Sequence, residues 1–578
     1  MSAIPPPLKN LDIKMEDDGF YEGFNRIVIL LSKAVLAIVV LWCLVQPEAA
    51  GAALSAAKNW SFQYLNWYYI FSVALFIVTC IVIAAVPSFG RVKLGVADDK
   101  PEFSRFSWFS MMFGAGIGIG MLGYAAGEPL FHFANNPEII QSKQAIVALF
   151  GASNITIPEG ADIFALYHQM VDAGTVTALE GIATPKTMSA VESAYRYTFL
   201  HWGVGAWASY ALIGIAISFF AYNRGLPLTV RSGLASLFGN KLEGTLGHII
   251  DVSAIIATIL GIAQTIGLGL SSFASGLHSI TGMEWLMTDG AGSPPTTGAL
   301  MLALIVVMLC STASALSGVG KGVKWLSNIN MVLSYSLLVF FLIFGATSFI
   351  FEVFGTGLLS YVVNLPALTF TMWDPATELG GWQTGWSVFY WAWWIAFAPF
   401  VGIFLARISK NRTIREFVLG GVLLPSFMCF VWFACLGGTA LDLELSGVAE
   451  GKIISSNLTY QIFEIVNLML SEGLATVMSV LVVVLLLTYL VTSGDSAILV
   501  VNTINAGGSD AATGAKHIII WSIILTSIVA ALIIAGGLGA IQSAMIIAAI
   551  PFTLIMVLMC VALLKALYRD TLRDKAGE

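Results

Sequence analysis

Trp391-Ala392-Trp393-Trp394-Ile395-Ala396-Phe397-Ala398-Pro399-Phe400-Val401-Gly402-Ile403-Phe404-Leu405-Ala406 contains no charged residue, and three of its first four positions are tryptophan. With the apolar residues before it, the stretch reaches the roughly 20 residues that a helix needs to cross hydrocarbon. Tryptophan normally gathers at the membrane–water boundary, where its N–H stays wet. Three in one span, with Pro399 following to interrupt the helix, point to something other than lipid contact. Their ring faces offer negative potential without formal charge, which suits a cation that cannot donate hydrogen bonds. A trimethylammonium group is such a cation.

Hydrophobic residues make up 58% of the 578-residue chain and charged residues 11%, which excludes an ordinary soluble globule. The apolar runs predict an all-α integral membrane protein with twelve spans, at about 27–46, 64–87, 106–127, 201–223, 247–279, 298–317, 326–351, 382–405, 414–437, 473–498, 517–536 and 540–566. The fifth is long for a perpendicular crossing and is expected to tilt. Lysine and arginine gather in alternate connections. Arg91, Lys93, Lys100 and Arg105 follow the second span, Arg407, Lys410, Arg412 and Arg415 the eighth, and Lys565, Arg569, Arg573 and Lys575 the last. The connections 278–296 and 352–380 have neither residue. The excess of positive charge on the cytoplasmic side then puts both termini in the cytoplasm, in a multi-pass protein of the inner (plasma) membrane. No basic patch with interleaved aromatics points to nucleic acid. All six cysteines fall in predicted spans, where inert thiols are expected rather than disulfides or a zinc site. The polar N-terminal stretch lacks the charged-then-apolar order of a cleaved signal.

Around these spans the chain divides into a partly disordered tail (1–26), two peripheral spans (27–87) and a first half (106–351) that includes an outward cap at 134–195. A connection (352–380) with an interfacial helix at 356–371, a second half (381–566) and a short tail (567–578) follow. Span 3 contains Gly114-Ala115-Gly116-Ile117-Gly118-Ile119-Gly120. A single glycine pair in a membrane helix serves close packing. Four glycines at alternate positions do not stay on one helix face, and they favour a break whose freed backbone groups line a cavity. Interrupted helices in the third and eighth spans form the pattern of an inverted-repeat transporter, with spans 3–7 and 8–12 as its halves.

The fourth span adds Trp202, Trp207 and Tyr210; on a continuous helix Trp207 and Tyr210 stand about 60° apart, with Trp202 about 80° from Tyr210 and about 140° from Trp207. Alone the group reads as a wet aromatic belt, into which Trp202 fits well; beside the tryptophans of span 8 it reads as a cage. Each desolvated cation–π contact contributes ~2 kcal/mol, so three or four faces reach ~6–8 kcal/mol. Micromolar binding requires ~8.2 kcal/mol, so affinity needs no carboxylate. Ionisable groups inside spans carry a functional prior. Glu128, before Pro129, is a candidate proton site or an interfacial group, the structural reading being preferred. Asp495 is expected to fix local backbone, and Asp251 and His201 to lie at the interface.

The stretch from Trp391 to Ser409 resembles the signature of the betaine/choline/carnitine transporter (BCCT) family. The similarity continues through Thr413-Ile414-Arg415-Glu416-Phe417, Gly437-Gly438-Thr439-Ala440, the glycine run of span 3, Trp202-x4-Trp207-x2-Tyr210 and Val491-Thr492-Ser493-Gly494-Asp495-Ser496. It covers almost the whole chain. The resemblance implies a LeuT-like 5+5 inverted repeat preceded by two extra helices, usually assembled as a homotrimer. It implies a substrate cage of Trp202, Trp207, Tyr210 and Trp394, with Trp393 lining the neighbouring pathway and Phe389 as a lateral aromatic. Phe397 stands where betaine-type relatives have tryptophan. Sodium, the coupling ion, is implied at the carbonyls of Gly114, Ile117 and Tyr489 and the hydroxyls of Thr492 and Ser493; hydroxyls bonded back to the preceding helical turn are the alternative. A second sodium site of betaine-type members is matched by Thr258 and Phe400 but not by Ile262, which cannot coordinate a cation. No other cofactor is implied.

Residues 116–120 contain no acid. A choline site would gain from one, whereas a zwitterion brings a carboxylate that the N–H groups of the break at Gly116, Ile117 and Gly118 can receive. Glycine betaine or dimethylsulfoniopropionate is therefore the leading solute, with choline, carnitine or a methylated amine as alternatives, driven by sodium, by protons or by exchange. The short C-terminal tail leads to the expectation of uptake without osmotic regulation. A channel needs sites that are easily left, while a cage traps its solute. No nucleophile–base pairing or metal cluster supports an enzyme. A non-transporting receptor is the remaining class.

Overall fold

Long apolar runs in lipid can satisfy their backbone groups within a single segment only as helix, and the computed structural model is helical throughout its regular elements. It describes residues 6–96, 99–113, 118–318, 324–509 and 514–576. The principal helices of the first part are α1 (Arg26–Val45), α2 (Pro47–Ala85), α3 (Arg105–Phe113), α4 (Gly118–Tyr124), α5 (Gly127–Ala134), α6 (Val191–Trp202), α7 (Val204–Ser218) and α8 (Thr245–Thr281). They are followed by α9 (Thr297–Ser317), α10 (Lys324–Phe344), α11 (Thr347–Phe370), α12 (Phe389–Ile408), α13 (Leu424–Leu445), α14 (Glu472–Asn505) and α15 (Ala515–Ala576).

Among the described residues, 11 helical stretches are long and apolar enough to cross a membrane. A helix apolar on all sides must face either lipid or other protein, and the stretches divide accordingly. The most apolar windows of Glu378–Ile408 and Met188–Asn223 are 94% and 89% buried, whereas those of Trp325–Phe344 and Thr347–Phe370 are each 22% buried. At the centre α7 runs along α12, and α8 packs against α12, α14 and α15. Small residues allow this approach: a Cβ on Gly261 of α8 would lie 3.1 Å from the backbone of Ala396.

The helices depart from the sequence reading where backbone geometry, not hydropathy, decides. In span 3 a turn at Ala125 and Ala126 separates α4 from α5, and the expected break in the glycine run falls at 114–117, outside the described residues. Pro399, read as an interruption, lies inside the continuous α12; the irregular turn comes earlier, as a π-turn at Thr384–Val388. Span 7 ends at Phe344, and α11 starts at Thr347, so the interfacial segment at 356–371 belongs to a 24-residue helix. Spans 11 and 12 are separated, as expected, at Gly536 and Gly537, whose backbone is not helical, and the second continues to Ala576 instead of ending near 566. At the other end, residues 6–25 pack rather than trail, with Leu11 and Phe24 buried. The connection 134–195 holds helices Pro137–Ala152 and Ile163–Asp172, capped by Asn136 and Asp162. All six cysteines are free, and Cys310 is the exposed one.

Candidate functional site

Span 4 is not one helix. At Gly203 (φ −96°, ψ −140°) α6 stops and α7 begins, so Trp202 is separated by a break from Trp207 and Tyr210. A Cβ at this position would lie 2.4 Å from the Phe199 carbonyl oxygen and 2.8 Å from the Tyr361 hydroxyl. Only glycine fits. The N–H of Val204 freed by the break donates to that hydroxyl at 3.1 Å.

The break nevertheless leaves the aromatic residues together. Trp202 and Trp394 meet edge-to-face with ring centres 5.0 Å apart, and Trp394 meets Tyr210 at 6.2 Å. Tyr210 continues the chain of rings to Trp207 at 5.6 Å and Phe397 at 6.4 Å. Trp393 stacks on Trp394 at 5.1 Å, with Phe389 5.7 Å beyond it. All seven residues are buried, so Trp202 is no wet belt residue. A cation must come within about 6 Å of each ring centre it uses, so an onium ion between Trp202 and Trp394 requires these touching rings to part. The Tyr210 hydroxyl is buried without a hydrogen-bond partner among the described residues.

The glycine run supplies the floor. A Cβ on Gly120 would stand 3.0 Å from the Trp202 ring and 3.3 Å from that of Trp393. Gly118 instead faces the Tyr489 ring, 2.2 Å from its own notional Cβ. Gly114, Gly116 and Ile117 lie outside the described residues.

Sequence reasoning missed Tyr390, which stacks against Trp394 at 5.5 Å. Its spacing, one helical turn before Trp393 and Trp394, was the available signal. Glu128, for which the structural reading was preferred, and His201, expected at the interface, are fully buried, as is His132. Trp202 Nε1 donates to Glu128 Oε2 at 2.6 Å, and the Tyr390 hydroxyl donates to the same oxygen. His201 Nδ1 lies 2.6 Å and His132 Nε2 3.4 Å from Glu128 Oε1. The His201 carbonyl oxygen accepts from Trp394 Nε1 at 2.9 Å. One carboxyl group thus fixes α6 and α12 to α5.

A cavity of about 640 Å³ leads to the group from the side of the 134–195 connection, lined by Tyr124, Phe131, Lys186, Trp386, Phe389 and Gln461 among others. Two of its lining residues, Phe389 and Tyr124, have rings 5.7 and 6.1 Å from that of Trp393. The cavity is within the size range of small-molecule sites.

The model of the betaine/carnitine/choline family transporters (BCCT) matches residues 27–176 and 177–572. The chain belongs to the BCCT family. It is 33% identical over 547 residues to a glycine betaine transporter, OpuD, of Bacillus subtilis, covering 94% of this chain and 95% of that protein. An osmo-independent choline transporter, BetT1, of Acinetobacter baylyi is 33% identical over 530 residues (91% of this chain, 90% of that one). A glycine betaine/proline/choline transporter of Vibrio parahaemolyticus is 33% identical over 548 residues (94% and 90%). As a BCCT member the chain is a multi-pass membrane transporter of betaine- and choline-type solutes, not an enzyme.

The residues expected to hold sodium in this BCCT chain lie on α14, which is continuous through Tyr489, Thr492 and Ser493. Thr492 Oγ1 donates back to the carbonyls of Thr488 (2.9 Å) and Tyr489 (3.1 Å) and accepts from Asn330 Nδ2 at 3.0 Å. That is the structural alternative named from sequence. The Tyr489 hydroxyl meets Ser334 Oγ at 2.6 Å, and Ser493 is buried. At the second candidate site, Thr258 Oγ1 is buried without a partner among the described residues, unlike most hydroxyls on these helices, and Ile262 is fully buried. Phe400 lies 5.1 Å from Phe397.

The other acids hold structure together. Asp495 accepts from Ser314 of α9 as well as from the side chain and backbone of Ser496, so it fixes local backbone as expected and also joins two helices. Asp251 is buried, not interfacial: its Oδ2 pairs with Arg231 Nε at 2.6 Å and its Oδ1 accepts from Thr229 at 3.0 Å.

Proposed function

We propose that this protein is a sodium-coupled symporter that imports a zwitterionic onium solute, glycine betaine or dimethylsulfoniopropionate, held by cation–π contacts in a cage of Trp202, Trp207, Tyr210 and Trp394. The observation that carries this reading is the convergence of those four rings with Trp393, Phe389 and Phe397 in one buried group beside a cavity. The Tyr210 hydroxyl, unpartnered among the described residues, is a polar atom suited to the solute's carboxylate. The unpartnered Thr258 hydroxyl is suited to a cation. Both termini are cytoplasmic, the architecture is a LeuT-like 5+5 inverted repeat preceded by two helices, and the assembly is a homotrimer on this reading.

With one sodium per zwitterion, a 100 mV potential contributes ~2.3 kcal/mol and a tenfold sodium gradient ~1.4 kcal/mol. The sum supports accumulation of about 500-fold. Choline is the second reading, favoured by Glu128. Sequence reasoning set choline aside for want of an acid, but Glu128 stands one hydrogen bond behind Trp202.

The test is uptake of radiolabelled glycine betaine and choline into proteoliposomes with and without an inward sodium gradient. Sodium-dependent accumulation of betaine is the expected result. Flux that ignores sodium, or choline carried in its place, defeats the coupling or the solute assignment respectively.

A further inference from the structure

We infer that Glu128, His201 and His132 form a proton-binding site behind the aromatic cage, and that its proton is expelled when an onium ion enters the cage. The inference rests on the reading of that aromatic group as the solute site.

The hydrogen bonds set the charge. Glu128 Oε2 accepts from Trp202 and Tyr390, and Oε1 meets one nitrogen of each histidine. With both imidazoles neutral, His201 Nδ1 and His132 Nε2 donate to Oε1, and His201 Nε2 receives the Ser387 hydroxyl at 2.9 Å. Every donor is used, yet the cluster keeps one net negative charge with no exposure to solvent. Such a charge is strongly disfavoured unless a proton or a counter-cation neutralises it. A proton added to His201 is donated at both ends, to Glu128 and to Ser387. A proton added to His132 would sit on Nδ1, beside the backbone of Asn135. Either imidazole can thus take the proton, with Glu128 as the shared partner. The 2.6 Å between Glu128 Oε1 and His201 Nδ1 is a hydrogen-bond length. It is shorter than the about 3.3 Å separating two ligands of a tetrahedral zinc ion, so the spacing suits a proton rather than a transition metal.

The competing counter-charge is the solute. Trp202 donates its N–H to Glu128 and edges onto Trp394. Donation to an anion raises the electron density of the indole and its attraction for a cation, and protonating the cluster removes that gain. Proton and onium ion thus oppose each other through one indole, and linkage makes the opposition reciprocal. The other titratable groups facing the cluster are phenols: Tyr124 of α4, Tyr390 of α12, and Tyr197 of α6, whose ring is 6.1 Å from that of His132. Arg196 of α6 is engaged by Glu138 and Glu192. From α13 come Gly437 against Pro129 and Phe433 against Trp202. Lys452, on a short helix beside α5, pairs with Glu450 in solvent.

Calorimetry of the purified full chain decides the matter, with choline and glycine betaine as probes in saturating sodium chloride, in buffers of different ionisation enthalpy from about pH 5 to 8. Binding is expected to release up to about one proton per solute, with affinity falling about tenfold per pH unit on the acid side. Binding without proton release, at a pH-independent affinity, overturns the inference alone. Absence of binding at every pH sinks the cage reading and this inference with it. Glu128→Gln keeps polar contacts but not the charge, and proton release should disappear; release equal to that of the native chain would overturn the assignment. If Glu128→Gln does not fold, the native-chain measurement still decides, because it needs no variant.

Discussion

Replacing Gly120 with alanine adds one methyl group to a helix and tests the cage at its floor. The new Cβ would lie 3.0 Å from Cη2 of Trp202 and 3.3 Å from Cη2 of Trp393, inside ordinary contact for both rings. Neither indole yields freely. Trp202 is held by its 2.6 Å bond to Glu128, and Trp393 is stacked 5.1 Å from Trp394. Overpacking of this kind costs about 1–3 kcal/mol, while alanine for glycine in a helix returns about 1 kcal/mol. Thermal stability in detergent should therefore change little. The displaced rings, however, are the ones proposed to receive the solute. Loss of 1–2 kcal/mol there raises the half-saturating solute concentration roughly 5–30-fold. The assay is concentration-dependent uptake in proteoliposomes, paired with the unfolding temperature of the same preparation. Unchanged uptake kinetics with unchanged stability would refute the reasoning, because the floor would then be irrelevant to the solute.

Trp394→Ala removes the ring that touches Trp202, Tyr210 and Trp393; loss of ~2 kcal/mol or more should weaken binding at least about 30-fold, and unaltered uptake would take Trp394 out of the cage. Ser493→Ala should raise the sodium concentration for half-maximal uptake about tenfold, the effect of one lost ligand at ~1.4 kcal/mol; no change in the sodium titration argues against that ion site. Asp251→Ala strands the buried Arg231 guanidinium, at ~3–5 kcal/mol. Its unfolding temperature should fall sharply and recover in the Asp251→Ala/Arg231→Met double variant, whereas a single variant as stable as the native chain contradicts a structural role.

What hydropathy controls was legible: which segments are apolar, and that the chain belongs in a membrane. What backbone geometry controls was not. Gly203 looked like one more small residue in span 4, but its effect comes from Phe199 and Tyr361 pressing on it, one of them from a distant helix. Pro399 drew attention as a helix breaker, yet α12 runs through it, because a buried helix has neighbours to absorb one lost backbone bond. The aromatic members of the candidate site could be picked out since rings crowded in apolar spans are conspicuous. Glu128 was harder. Its partners His201, Trp202 and Tyr390 come from two other helices, 73, 74 and 262 residues away, and a contact between helices leaves no spacing to read.

The position of Glu128 bears on which solute the protein can concentrate. A zwitterion entering with one sodium moves one positive charge, and the gradient supports about 500-fold accumulation from ~3.7 kcal/mol. If each binding event also sends a proton outward, the same zwitterion moves no net charge. The ~2.3 kcal/mol of the membrane potential is then lost, and the tenfold sodium gradient alone supports about tenfold accumulation. A solute with a net positive charge, exchanged in the same way, moves one charge instead of two; it loses the same ~2.3 kcal/mol but retains ~3.7 kcal/mol. An acid behind the cage therefore favours choline-type cations in affinity, through the indole of Trp202, and of the two solutes leaves only the cation with uptake that the membrane potential drives. Current per molecule of solute, compared between betaine and choline in the same vesicles, separates this arrangement from simple sodium symport, in which betaine moves one charge and choline two.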